Sequence, residues 1–238
     1  MVNSQTVHII MPVKDSIETA ERSIRAITQS GYRLTVYDDY SSPENAARLD
    51  RLSSESDMEV KHLENYTDHP SPNYRWTLID AQREALSKGA HLVIIESDVI
   101  VQADTIEKLV EAQKAKDPRP VGMVAAVTQD EEGQINFPYE YARGMQGDGS
   151  CKKRLSFCCT LLSNDLLRAY DFEQLDPEKN WYDVFISHKS LQLGFTNILQ
   201  LSNPVLHMPH SSRPWKKLKY SNPLLYYWRK LVLRRDKI

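Results

Sequence analysis

The strongest constraint on the fold is an alternation running through the first half of the chain. Short apolar, β-branched runs take turns with segments of helical period. Val7–Met11 is apolar and is followed by Pro12. From Ser16 to Gln29, Ile17, Ala20, Ile24 and Ile27 recur at the spacing of one helix face, and Gly31 marks the stop. Leu34–Tyr37 is the next strand. Ser42 and Pro43 then read as the N-cap and first residue of a helix that runs to about Ser54. Met58–Leu63 is strand-like, Thr77–Lys88 is helical and ends at Gly89, and His91–Ile95 is a strongly apolar strand. Asp104 opens a further helix, with Glu107 placed to complete a capping box. Val121–Val127 is another buried strand. Strands separated by helices of this length predict βαβ units, hence an α/β fold with a mostly parallel sheet and helices on both faces.

After residue 127 the character changes. The stretch 128–150 is rich in Gly, Asp and Glu, and Gly144-Met-Gln-Gly-Asp-Gly149 suggests a hinge for a lid. Leu155–Leu162 reads as a strand, Tyr182–Gln192 as a helix and Thr196–Leu199 as a last strand. The organisation expected is one domain over 1–210, with halves at about 1–127 and 128–210, followed by a tail over 211–238.

Composition removes several classes of function. A net charge of −2 does not call for nucleic acid. No apolar stretch approaches the ~20 residues of a membrane-spanning helix, and no basic-then-apolar leader is seen. Three cysteines without a CxxC spacing argue against a disulfide framework or zinc knuckle and for a reducing compartment, so a cytoplasmic location is expected. All three read as small core residues. Neither GxGxxG nor GxxxxGK[ST] follows the first strand, which disfavours dinucleotide oxidoreductases and phosphate-loop NTPases.

Open α/β sheets bind ligands at the carboxyl ends of their strands, and that edge is acidic here. Strand two ends in Asp38-Asp39 and strand four in Glu96-Ser97-Asp98. One such cluster would be explained by helix capping or loop hydrogen bonds. Two suggest a hard divalent cation, Mg2+ or Mn2+, completed by phosphate oxygens.

In order and spacing, these motifs resemble the family 2 glycosyltransferases of the GT-A fold. The matching segments are Ile10-Met-Pro-Val-Lys-Asp15, Val36-Tyr-Asp-Asp-Tyr-Ser-Ser42, Ser87-Lys-Gly89 leading to Ile94-Ile-Glu-Ser-Asp-Val99, Trp181-Tyr-Asp183 with Gly194-Phe195, and Val205-Leu-His207. The resemblance runs from about Val7 to about Trp215. It implies inverting transfer of a single sugar from a UDP-, GDP- or dTDP-sugar to an acceptor hydroxyl, in cell-surface polysaccharide or glycolipid synthesis. Pro12, Val13 and Lys14 would line the nucleotide pocket, and Asp39 would hold the base or ribose. Glu96 and Ser97 would lie by the donor, Glu96 nearer the ribose, and Asp98 would bind the metal with His207. Asp183 would be the general base, with Trp181 and Tyr182 toward a carbohydrate or lipid-linked acceptor.

Three positions depart from the family pattern: Tyr40 where a small residue is usual, Glu96 in place of Asp, and Tyr182 in place of the acid before the base. The HxxH pair leaves His207 or His210 as the ligand. Lys152-Lys-Arg154 reads as a solvated charge run, with contact to a pyrophosphate or anionic acceptor as the sharper alternative. The tail interleaves Lys216, Lys217, Lys219, Arg229, Lys230, Arg234, Arg235 and Lys237 with Leu and aromatic residues, a composition suited to peripheral contact with the inner face of a membrane.

Competing readings are a transferase relative that binds nucleotide or sugar without turnover, a sugar-nucleotide nucleotidyltransferase and a receiver-like phosphorylation module. The second lacks its Gly-rich loop after strand one. The third would carry the acid pair after strand one and needs about half this length.

Overall fold

Strands apolar on both faces can be buried only between two layers of helices, and that is the arrangement found. The structure is a computed structural model that describes residues 6–115, 119–179 and 181–208, with Asn222, Leu225 and Trp228 beyond them. The chain divides between Met208 and Pro209. His210 and nearly all of the basic tail lie outside the described residues.

The elements in order are β1 (Val7–Val13), α1 (Ile17–Gln29), β2 (Leu34–Asp38), α2 (Pro43–Glu55), β3 (Met58–His62), α3 (Tyr74–Ser87), β4 (His91–Ile95), β5 (Val99–Ile100), α4 (Thr105–Gln113), β6 (Val121–Gln129), β7 (Gly149–Ser150), β8 (Cys159–Leu162), α5 (Asn164–Ala169), α6 (Tyr182–Gln192) and β9 (Thr196–His207). One sheet runs β3-β2-β1-β4-β8-β6-β9-β5, with β7 on β9. β3, β2, β1 and β4 are mutually parallel, as are β6 and β9. β8 is antiparallel to both of its neighbours, β4 and β6. Six strands therefore end on one edge (β1, β2, β3, β4, β6 and β9), and β8 begins there.

The alternation of each strand feeds two cores. In β1, Ile9, Met11 and Val13 join α1, α2 and α4, while Ile10 points to α3, α5 and α6. In β4, Val93 and Ile95 face the first core, and Leu92 and Ile94 the second. The cap of α2 forms as expected, Ser42 Oγ accepting from Asn45 N at 3.4 Å. α3 ends as its sequence suggests: Gly89 takes φ +62°, where an L side chain would be strained, and Ala90 N closes on Ala85 O at 2.8 Å.

The structure corrects four expectations. Asp104 precedes α4 but makes no side-chain cap; its carboxylate pairs with Lys108 at 2.9 Å instead. α3 starts at Tyr74, three residues earlier than the apolar period suggests. β8 starts only at Cys159; residues 155–158 lie outside the strand, Phe157 and Cys158 in a turn. β9 runs past Leu199, where the last strand is expected to end, through Ser202-Asn203-Pro204 to His207. A register break opposite Ala126/Thr128 absorbs those residues, so the proline costs no ladder bond.

Candidate active site

The first strands end in a tied corner. Val13 pairs with Asp38, Asp39 N donates to Val13 O at 2.8 Å, and Lys14 Nζ donates to Asp39 O at 3.1 Å and Tyr40 O at 3.0 Å. Pro12 pairs with Tyr37 within β1. These contacts bring the Pro12–Lys14 segment beside Asp39. Tyr40 sits at φ +61°, a left-handed conformation that holds about 1–3 kcal/mol of strain in a non-glycine residue. The Lys14 bond to its carbonyl and its own hydroxyl bond to Thr67 O hold it there. Asp39 faces the loop before α3: Oδ2 accepts from Ser71 Oγ at 2.7 Å and Asn73 N at 3.1 Å, and Oδ1 from Asn73 Nδ2 at 2.8 Å. The neighbouring Asp38 is buried and meets His62 Nδ1 at 2.8 Å, while His62 Nε2 meets Asp50 at 2.9 Å. Burial alone would lower the His62 pKa; hydrogen bonds to Asp50 and Asp38 outweigh it and leave the pKa raised.

Sheet pairing assembles the second acidic group. β5 runs antiparallel to β9, setting Val99 opposite His207, and Met208 N donates to Asp98 O at 2.8 Å. His207 Nε2 thereby lies 3.5 Å from Asp98 Oδ2, with both side chains buried. Of His207 and His210, only His207 falls among the described residues, and its imidazole lies against Asp98. On the other side, β4 and β8 set Ile95 opposite Cys159, and Glu96 N donates to Cys158 O at 3.0 Å. Cys158 Sγ then donates to Glu96 Oε2 at 3.3 Å. Glu96, Cys158 and His207 each offer a ligand atom, all within 4.8 Å of one another. His207 Nδ1 is buried without a hydrogen-bond partner. A carboxylate, a thiol and an imidazole with an unmet nitrogen, with a second carboxylate beside that imidazole, fit a divalent cation. Ser97, between the acids, is buried.

Asp183 connects to this edge through residues 154–158. It lies in the first turn of α6, where its Oδ1 accepts from Val184 N at 2.8 Å. Its pKa is raised by burial, against the lowering effects of the Val184 N–H, the Arg154 charge and the Ser156 hydroxyl. Ser156 Oγ is in turn 3.5 Å from Cys158 Sγ. A line of side chains, Asp183–Ser156–Cys158–Glu96, thus joins the candidate base to the acidic cluster. The Tyr139 hydroxyl clamps its middle, accepting from Ser156 N at 2.9 Å and donating to Ser156 O at 3.2 Å.

Not every expected residue presents itself to a ligand. Tyr182 is buried, its hydroxyl on Asp176 O at 3.1 Å and its ring 6.4 Å from that of Tyr74, so it packs the core and leaves Trp181, 44% exposed, to face solvent. Two residues near the site escaped the sequence reading. Cys158 is a buried core residue as the sequence suggests, and its pairing with Glu96, 62 positions earlier, also sets its thiol beside the acids, which no local pattern shows. Arg154 was assigned to a solvated run. Lys152 and Lys153 are indeed exposed, Lys153 with its Nζ 4.5 Å over the Tyr141 ring, but Arg154 is half-buried and its charge reaches Asp183.

No family model and no curated protein sequence matches the chain. Solved structures do. An S. aureus TarS fragment superposes with a TM-score of 0.60 at 12% identity, covering 85% of this chain and 60% of that one. GalNAc-T7 with UDP, GalNAc and Mn2+ gives 0.63 at 13% identity, covering 87% of this chain and 44% of that one. The TarS fragment in complex with UDP gives 0.58 at 12% identity, covering 90% and 63%. The fold is that of GT-A glycosyltransferase structures. The chain spans 44% to 63% of the length of these three structures.

Proposed function

We propose that this chain transfers a single sugar from a nucleotide-sugar donor to an acceptor hydroxyl, with inversion at the anomeric carbon. The observation carrying the proposal is the gathering of Glu96, Cys158 and His207 at the strand-end edge, with Asp98 beside His207, linked through Ser156 to Asp183. The Pro12–Lys14 corner with Asp39 would receive the nucleoside, and Asp98 with His207 would hold a divalent cation, Mn2+ or Mg2+. When bound, that cation supplies Lewis-acid neutralisation of the departing diphosphate. The similar structures that contain UDP make UDP-sugars the first donors to test.

Asp183 serves as general base. As the acceptor oxygen forms its bond to the anomeric carbon, the bond to the diphosphate oxygen breaks and the acceptor proton passes to the Asp183 carboxylate. Burial lifts the affinity of that carboxylate for a proton, which suits it to the task. The Arg154 charge opposes the lift. Trp181 offers an exposed ring on which an acceptor sugar can stack.

The test is incubation with UDP-, GDP- and dTDP-sugars and Mn2+, with and without simple glycoside acceptors, following nucleoside diphosphate release and product configuration by NMR. Acceptor-stimulated release with an inverted product supports the proposal. Release with retained configuration, or none with any donor, overturns it.

A further inference from the structure

Cys158 stands in the acidic cluster as an unexpected kind of ligand. Antiparallel neighbours on one face of a sheet lie side by side, so the pairing that joins Glu96 N to Cys158 O brings the thiol against the Glu96 carboxylate. From the opposite side β9 delivers His207, whose Nδ1 is buried and lacks a hydrogen-bond partner. Ligand atoms from Glu96, Cys158 and His207 lie within 4.8 Å of one another, and Asp98 Oδ2 is 3.5 Å from His207 Nε2. A carboxylate-only cluster with an imidazole would suit magnesium or manganese. A sulfur ligand changes the preference, because thiolates favour zinc, cobalt and other softer cations over magnesium.

We propose that Cys158 is a thiolate ligand of this centre and sets its cation preference, so that Glu96, Cys158 and His207, with Asp98 against the other imidazole nitrogen, take a thiophilic divalent cation such as zinc in preference to magnesium. The proposal rests on the reading of Asp98 and His207 as cation-holding residues. On binding, the Cys158 S–H bond breaks, the sulfur lone pair goes to the cation and the proton leaves to solvent; nothing is oxidised or reduced. Ser156 Oγ lies 3.5 Å from Sγ.

The test uses the metal-free full chain titrated with Co2+, whose bond to thiolate produces a near-ultraviolet charge-transfer band. Isothermal titration with Zn2+ and Mg2+ runs in parallel. The expected result is a band that saturates at one equivalent, is displaced by zinc, persists in C151S and is absent in C158S and C158A. Zinc should bind at least about tenfold more tightly than magnesium to the wild type, and that preference should shrink in C158S. Absence of the band in the wild type overturns the proposal without use of any variant. A band that survives in folded C158S, or magnesium binding as tightly as zinc, also overturns it. Failure of the transferase reading looks different: no nucleotide binding with any cation, while the cobalt band remains.

Discussion

Gly122 lies where α6 presses on the sheet, and replacing it with alanine tests whether that helix, which carries Asp183, is seated as described. A Cβ built at Gly122 would meet Ser190 Oγ at 2.2 Å, Phe195 Cβ at 2.8 Å and Phe195 Cγ at 3.1 Å. Ser190 cannot simply turn away, because its hydroxyl donates to the buried Asn197 Oδ1 at 2.7 Å. Phe195 is anchored by Phe195 N to Ser190 O at 3.1 Å. Gly122 does not need a left-handed backbone, so alanine gains about 0.4–1 kcal/mol from the unfolded chain. Against this stand about 1–3 kcal/mol of overpacking and about 1 kcal/mol for the strained Ser190–Asn197 bond. The net expectation is a loss of about 2 kcal/mol, which lowers Tm by about 4–8 °C in a domain of this size. Thermal and urea unfolding followed by tryptophan fluorescence measure it. The S190A/G122A pair should recover only part of the loss, since the Phe195 contact remains. An unchanged or raised Tm in Gly122→Ala would refute the packing of α6 on β6, and with it the position of Asp183.

Three further outcomes are expected. His62 has a raised pKa, so its bonds to Asp38 and Asp50 contribute stability that is full below its unfolded value near 6.5 and is lost as pH rises through the folded value. The urea midpoint should therefore fall between pH 6 and pH 8.5 more in the wild type than in His62→Gln; equal falls would contradict the assignment. Asp183, raised by burial, should give the rate an acid limb above the usual Asp range near 3.9, activity falling as pH falls through it. Asp183→Asn should remove that limb and about 10²–10⁴ of the rate, and Arg154→Ala should move the limb to higher pH; a limb indifferent to both would assign the base elsewhere. The basic, aromatic tail should float the full chain with anionic vesicles and not with neutral ones, and removal of residues 209–238 should abolish flotation.

Much of the fold was legible because its signals are local. The 3.6-residue period of Ile17, Ala20, Ile24 and Ile27, the Ser42 cap and the stop at Gly89 each act within a turn or two of chain. The apolar runs of β1 and β4 announce burial on both faces. What escaped depends on pairing between distant residues. No local pattern tells that β8 inserts antiparallel between β4 and β6, since the four residues Cys-Thr-Leu-Leu suit either direction. The Ser202-Asn203-Pro204 interruption hides the true end of β9, and so hid the geometric reason why His207 meets Asp98. The acids were legible as strand-end clusters. Cys158 and Arg154 were not, because a buried thiol and a basic run look the same in sequence whether or not the sheet carries them to an active edge.

The most direct test of the central claim is a thermal-shift titration with UDP, GDP, dTDP and CDP, each with and without Mn2+. A ligand at a hundredfold excess over its Kd stabilises the folded state by about 2.7 kcal/mol, or about 5–11 °C here. The expected result is a shift with one nucleotide that requires the cation and disappears in Asp98→Ala. No shift with any nucleotide, or a shift indifferent to both the cation and Asp98, would contradict the assignment of this edge as a nucleotide-sugar site.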